Sequence, residues 1–246
     1  MLSLSPDLNL MIKACEKASK VLIRDFGEIE KLQVSVKGQF DFVTNSDLKA
    51  ENIIINELSK SKKKYSLISE ESGIMIKENN NTSWIIDPID GTTNFLNGIP
   101  HFAISIGLKV DDEIVSGITY DPIKDEMFFA EKNNGAYLNN KRIRVSKKNN
   151  ILNCLFATGE KKEIKSNLNI RKFGSAALDL AYVASGRLDG YFQKNLHLWD
   201  IAAGLILIKE SGGRVNKINL EKKDNIKILA SNNSIHEKMI DNLNNF

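Results

Sequence analysis

Two acids flank a proline in Asp87-Pro88-Ile89-Asp90, which follows the apolar run Trp84-Ile85-Ile86 and leads directly into Gly91-Thr92-Thr93-Asn94-Phe95. Proline fixes its own φ and withholds an amide from a strand ladder, so a regular strand must break there. Two carboxylates held on one side of such a rigid turn can share divalent cations, which prefer hard oxygen ligands. The Gly-Thr-Thr step reads as a helix N-terminus, where free amides and hydroxyls can cradle an anion such as phosphate. A cation beside an anion cradle suits phosphoryl hydrolysis, in which one ion activates water and another takes up charge on the leaving oxygen. On Asp-Pro alone, Asp87 and Asp90 read as ordinary turn and N-cap acids; the twelve specified positions from Trp84 to Phe95 reverse that weighting.

The elements that must position these residues follow from periodicity. Apolar residues at steps of three and four over 8–26 predict an amphipathic helix, started by Ser5-Pro6-Asp7 and stopped by Gly27. A short strand over 32–36, a polar loop over 37–45, a second helix over 46–59 and a strand over 65–69 precede the acidic segment. From 103 to 145 the pattern becomes an antiparallel meander, with strands over 103–110, 114–120 and 126–131 separated by Asp111-Asp112, Asp121-Pro122 and Asn133-Asn134-Gly135. Composition shifts at Lys147-Lys148-Asn149-Asn150, which predicts an N-terminal α+β half over 1–146 and a C-terminal α/β half over 147–246, together forming one compact catalytic unit. Beyond that boundary the sequence predicts a strand over 152–158, helices over 176–185 and 200–210, and a strand over 226–230. The alternation of both element types argues a layered α/β or α+β fold.

Composition narrows the function. The 246 residues are 42% hydrophobic and 26% charged, enough for a sizeable core. The 34 Lys and Arg against 31 Asp and Glu leave only +3, so no global field suggests a nucleic-acid partner. The longest apolar run, 201–208, is far short of the roughly 18 residues of a membrane span. Cys15 and Cys154 have no His or Cys at metal-ligand spacing and read as small buried apolar residues. With no recognisable leader, the expected compartment is the cytoplasm.

The segment from Trp84 to Phe95 resembles the signature of the inositol monophosphatase family, magnesium-dependent and lithium-sensitive phosphatases. Trp199-Asp200-Ile201-Ala202-Ala203-Gly204, followed by Glu210-Ser211-Gly212-Gly213, is similar to that family's second signature. The resemblance runs from the first helix to Asn232. It implies an αβαβα sandwich and a homodimer acting on a small phosphorylated polyol. In Ile68-Ser69-Glu70-Glu71-Ser72 it assigns Glu70 to metal and Glu71 to orientation. Asp87 and Asp90 bind metal through carboxylates, Ile89 through its carbonyl, and Asp200 completes the set for about two or three Mg2+ ions, each keeping water in the remaining positions.

Further roles come from the same resemblance. Thr44-Asn45-Ser46-Asp47 matches a stretch in which Asp47 and the Thr92 hydroxyl form a proton-accepting pair that orients the attacking water, so the catalytic set is Asp47, Glu70 and Thr92. Gly91, Thr92 and Thr93 take the phosphate. Gly174, Ser175 and Ala176, in Phe173-Gly174-Ser175-Ala176-Ala177, face the polyol together with Gln193 and Asp200. Lys37 occupies a loop position linked to metal and phosphate. His101 and His197 read as structural, since oxygen ligands already fill the inferred metal positions.

Two departures bear on substrate choice. Gln193 stands where the family often has a Glu that bonds a sugar hydroxyl; a neutral amide loses the charge that strengthens such a bond about twofold. The segment 159–170 is short where relatives commonly carry a helix and a strand, a change expected at the pocket edge or a subunit interface. The expected function is hydrolysis of myo-inositol 1-phosphate. Histidinol phosphate or another sugar phosphate is the alternative substrate, and a non-catalytic regulatory protein on the same fold is the rival class. Retention of mutually repelling carboxylates argues for the enzyme, because without metal they cost stability.

Overall fold

The structure, a computed structural model, describes residues 4–29, 34–36, 42–61, 63–75, 81–161 and 167–243. Lys37 and the middle of the short segment, 162–166, lie outside the described residues.

The chain opens on α1 (Pro6–Phe26). Ser5 accepts a hydrogen bond from the Leu8 amide at 3.1 Å, Pro6 occupies a position that needs no amide, and Asp7 meets the positive end of the helix. Its stripe of Leu8, Met11, Cys15, Ala18 and Leu22 is buried. A two-stranded ribbon, β1 (Val34–Val36) and β2 (Phe42–Thr44), leads into α2 (Asn45–Leu58), which packs on α1.

An eight-stranded sheet follows. It contains β3 (Ser66–Ser69), β4 (Gly73–Met75) and β5 (Thr82–Asp90), and, after the single turn of α3 (Thr92–Leu96), the meander β6 (Ala103–Val110), β7 (Glu113–Asp121), β8 (Glu126–Glu131), β9 (Gly135–Leu138) and β10 (Lys141–Arg142). The spatial order is β10-β9-β8-β7-β6-β5-β3-β4, with only the β3–β5 pair parallel. The predicted meander is thus one wing of a larger mixed sheet.

The second half begins differently from expectation. Asn150 turns its side chain onto the Leu152 amide (3.1 Å), so Ile151–Asn153 winds into a 3-10 turn and only β11 (Leu155–Ala157) is extended. Then come β12 (Asn169–Arg171), α4 (Ala176–Ala184), β13 (Gly190–Leu196), α5 (Leu198–Glu210), β14 (Gly213–Val215), β15 (Ile226–Asn232) and α6 (His236–Asn242). The strands form a five-stranded sheet in the order β12-β11-β13-β15-β14.

The layers stack as α1 and α2, the large sheet, α4 and α5, the small sheet, and α6, giving the five-layer αβαβα sandwich. Three apolar clusters fill the spaces. One lies under α1 and α2, the largest surrounds α4 and α5 between the sheets, and a small one sits under α6. The connector between the sheets is pinned by buried Asp189, which accepts from Ser146 Oγ (2.5 Å), Lys148 Nζ (2.8 Å) and the Leu155 amide (2.7 Å). α5 lies close on the large sheet where Gly107 and Gly117 pair across β6 and β7. A Cβ at Gly117 would sit 2.6 Å from Ile206 Cγ2 and 2.8 Å from Ala203 Cα.

Candidate active site

Pro88 and Ile89 interrupt the β5–β6 register. Asp87 faces Ser105 and Asp90 faces Ala103, so the two acids stand on either side of a bulge. Gly91 then turns the chain at φ 96°, a conformation that glycine adopts without strain. A Cβ there would lie 3.1 Å from the His101 carbonyl and 3.3 Å from that of Gly174, so this turn and the loop before α4 touch backbone to backbone. Asn94 locks the contact by donating through Nδ2 to the carbonyls of His101 (2.8 Å) and Phe173 (2.7 Å).

Asp200 reaches the same place from the other half. α5 starts earlier than predicted, at Leu198, so Asp200 falls in its first turn and accepts the His197 amide at 2.8 Å. One carboxylate oxygen each from Asp87, Asp90 and Asp200 lies within 4.8 Å of the others. Glu70 is outside that group, yet its charge is the largest of the neighbouring ones acting on Asp87, ahead of Asp90, Asp200 and Asp47. Burial and then these charges push the Asp87 carboxyl well above the ordinary carboxylate range. Asp90 is raised to about 6 by burial, opposed by its hydrogen bonds from Ser175 Oγ and the Ala177 and Ala176 amides.

The donor set fits a divalent cation. Asp87 Oδ1 is buried with no hydrogen-bond partner among the described residues, a costly state for a carboxylate oxygen. Oxygen donors converging from β5 and α5 give a hard cation the ligands it prefers. A positive ion here relieves both the desolvation and the repulsion.

Asp47 is buried in the first turn of α2 and acts electrostatically on Asp87. The Thr92 hydroxyl donates to the Ile89 carbonyl at 2.8 Å, so pairing with Asp47 requires it to rotate. α3 is only 5 residues long, and an anion at Gly91, Thr92 and Thr93 would rest on individual amides rather than on a helix dipole. The Ser175 side chain is buried, donates to Asp90 Oδ2 and caps α4 by accepting the Leu178 amide at 3.3 Å. Ala176 is buried beside it, and Gly174 is the point of loop contact. Half-buried Gln193 accepts from the Tyr191 hydroxyl at 2.5 Å. Burial first, and then the charges of Asp179, Asp90, Asp200 and Glu160, push the Tyr191 phenol far up, so it stays protonated and donates.

Sequence reasoning missed Tyr191 and Asn94. Tyr191 shares a strand face with Gln193 at i, i+2, which alternation could have indicated; Asn94 stood inside the motif but carried no role. The histidines are placed as structural groups. His101 packs on Phe173 and Tyr182, and His197 stacks flat on Trp199 at 4.7 Å.

Buried Asp87 and Asp90 on β5 and half-buried Asp200 on α5 thus define a sandwich-fold protein with an acidic cluster able to hold a metal ion. The family model described as the inositol monophosphatase family matches residues 3–245. An inositol-1-monophosphatase of Caulobacter vibrioides is 42% identical, covering 95% of this chain and 99% of its own length. A protein of Pasteurella multocida named Nus factor SuhB is 38% identical, with 88% and 86% covered. The crystal structure of extragenic suppressor protein suhB from Bartonella henselae superposes with a TM-score of 0.89 at 44% identity, over 98% and 99% of the chains. The chain belongs to the inositol monophosphatase family, whose name and whose relatives' names indicate a phosphatase. Among the described residues no helix is long and apolar enough to cross a membrane.

Proposed function

We propose that the protein is a Mg2+-dependent phosphomonoesterase that hydrolyses myo-inositol 1-phosphate to inositol and phosphate. The observation that carries this reading is the convergence of Asp87, Asp90 and Asp200 within 4.8 Å, drawn from both halves of the chain. Asp87, Asp90, Asp200 and Glu70, with the Ile89 carbonyl, would hold the ions. Bound Mg2+ supplies Lewis acidity for water and for the phosphoryl oxygens.

The chain's own groups do the rest. Asp47, with the Thr92 hydroxyl turned toward it, orients water for in-line attack on phosphorus and accepts its proton. As the new P–O bond forms, the ester P–O bond breaks and the polyol oxygen leaves, taking a proton from solvent water. The amides of Gly91, Thr92 and Thr93 fix the phosphate. On the polyol side stand the backbone of Gly174 and Ala176, the Asp200 carboxylate, and Gln193, whose amide is oriented by Tyr191. Family resemblance supports a cytoplasmic homodimer.

A second reading rests on the relatives named Nus factor SuhB, which favour a regulatory role on the same fold. A panel of phosphomonoesters with Mg2+, with EDTA and with Li+ separates the two. We expect the fastest Mg2+-dependent turnover on inositol monophosphate, abolished by EDTA and lowered by Li+. Preference for histidinol phosphate would replace the substrate, and no turnover of any ester would favour regulation.

A further inference from the structure

α2 carries a second buried acid one turn beyond Asp47. Glu51 shares its helix face at i, i+4, and both residues are 1% exposed. The Glu51 carboxylate points into the turn that follows β3. Its Oε2 accepts from Ser69 Oγ and, at 3.0 Å, from the Glu71 amide, while Oε1 accepts from Ser72 Oγ. The residue these three contacts enclose is Glu70. On its other side the turn is held by β5, through the Glu70 amide donating to the Ile86 carbonyl at 3.2 Å. Ile86 immediately precedes Asp87.

We propose that Glu51 is a positioning residue that sets the Glu70 turn at a fixed distance from Asp47 and from β5, and thereby fixes the affinity of the acidic site for its divalent cation. The inference rests on the reading of Glu70 as a cation ligand. A turn held by three hydrogen bonds to one buried carboxylate has little freedom, and the same helix that carries the carboxylate carries Asp47. Losing an outer partner of this kind typically weakens metal binding 10–100-fold. Position and charge can be told apart because glutamine is nearly isosteric. Its oxygen can keep the Ser69 hydroxyl and the Glu71 amide, and its NH2 can donate to a Ser72 hydroxyl turned to accept.

The test is Mg2+ binding to the full chain by titration calorimetry, without substrate, alongside thermal melting. Glu51→Ala is expected to weaken binding about 10–100-fold, and Glu51→Gln to stay within about threefold of the parent, because it retains the donor pattern. A residue that merely filled space would lower the melting temperature without moving the affinity. Parental affinity in Glu51→Ala would overturn the proposal, as would a Glu51→Gln affinity as weak as that of Glu51→Ala. If Glu51→Ala does not fold, Ser72→Ala removes one bond at an exposed hydroxyl and is expected to cost about fivefold; an unchanged affinity overturns the idea. Absence of Mg2+ binding by the parent protein defeats the metal-site reading itself, whereas equal binding by parent and variants defeats only the role of Glu51.

Discussion

Asp200 is both a helix cap and a member of the acidic trio, and the two roles separate by substitution. Its Oδ2 accepts the His197 amide, a bond that the carbonyl of an asparagine can also make. Asp200→Asn is therefore expected to keep the parent's stability and lose most of its Mg2+ affinity. Asp200→Ala should lose the affinity and also about 0.5–2 kcal/mol of stability from the missing cap; urea denaturation beside calorimetry checks both. A separate expectation concerns His101. Burial, with the Lys124 charge adding and Asp121 opposing, holds its imidazole down at about 4. The unfolded chain takes up that proton near pH 6.5 and the folded chain only near 4. The stability contributed is thus complete above 6.5 and is lost as pH falls toward 4. Thermal melts from pH 7 to 4 should show a shallower acid-side decline in His101→Gln, and an unchanged slope would count against this. The acids of the site were legible because a proline and glycines fixed their spacing. The destination of the Ser175 hydroxyl was not, because its partner Asp90 is remote in sequence.

Among the elements, α5 governs where Asp200 stands, and the glycine pair on β6 and β7 governs where α5 stands. Gly117→Ala would force the helix off the sheet at Ala203 and Ile206. Overpacking of this kind costs about 1–3 kcal/mol. The expected result is that loss of stability with weaker Mg2+ binding; lost stability with parental affinity would mean that the helix tips without moving its first turn. Alternation or β-branched residues, with close turns, made the β6–β8 meander readable, as the stripe of α1 made that helix readable. Short elements held mainly by their neighbours, such as β4, β12, β14 and α6, carry too few residues for a period to show. The turn at Ile151–Asn153 was hidden by apolar residues that suit a strand, until Asn150 captured an amide.

At the scale of the whole molecule, the charge sum of +3 conceals an uneven distribution. Asp87, Asp90 and Asp200 meet in one place, with Glu70 and Asp47 near enough for their charges to act on Asp87 as well, while several lysines are spent in ion pairs at the surface. Neither half holds the site alone. The β5 bulge supplies Asp87 and Asp90, α5 supplies Asp200, and Asn94 ties the first half to Phe173 of the second. The five-layer sandwich is the means of bringing these ends together, with α4 and α5 packed between the sheets. The central claim is that this shared acidic seam performs cation-dependent phosphate release. Its most direct measurement is phosphate liberated from myo-inositol 1-phosphate by the parent and by Asp90→Asn, each with Mg2+ and with EDTA, beside their melting curves. We predict turnover only by the parent with Mg2+, and a folded Asp90→Asn with none; substantial turnover in EDTA or by Asp90→Asn would contradict the account.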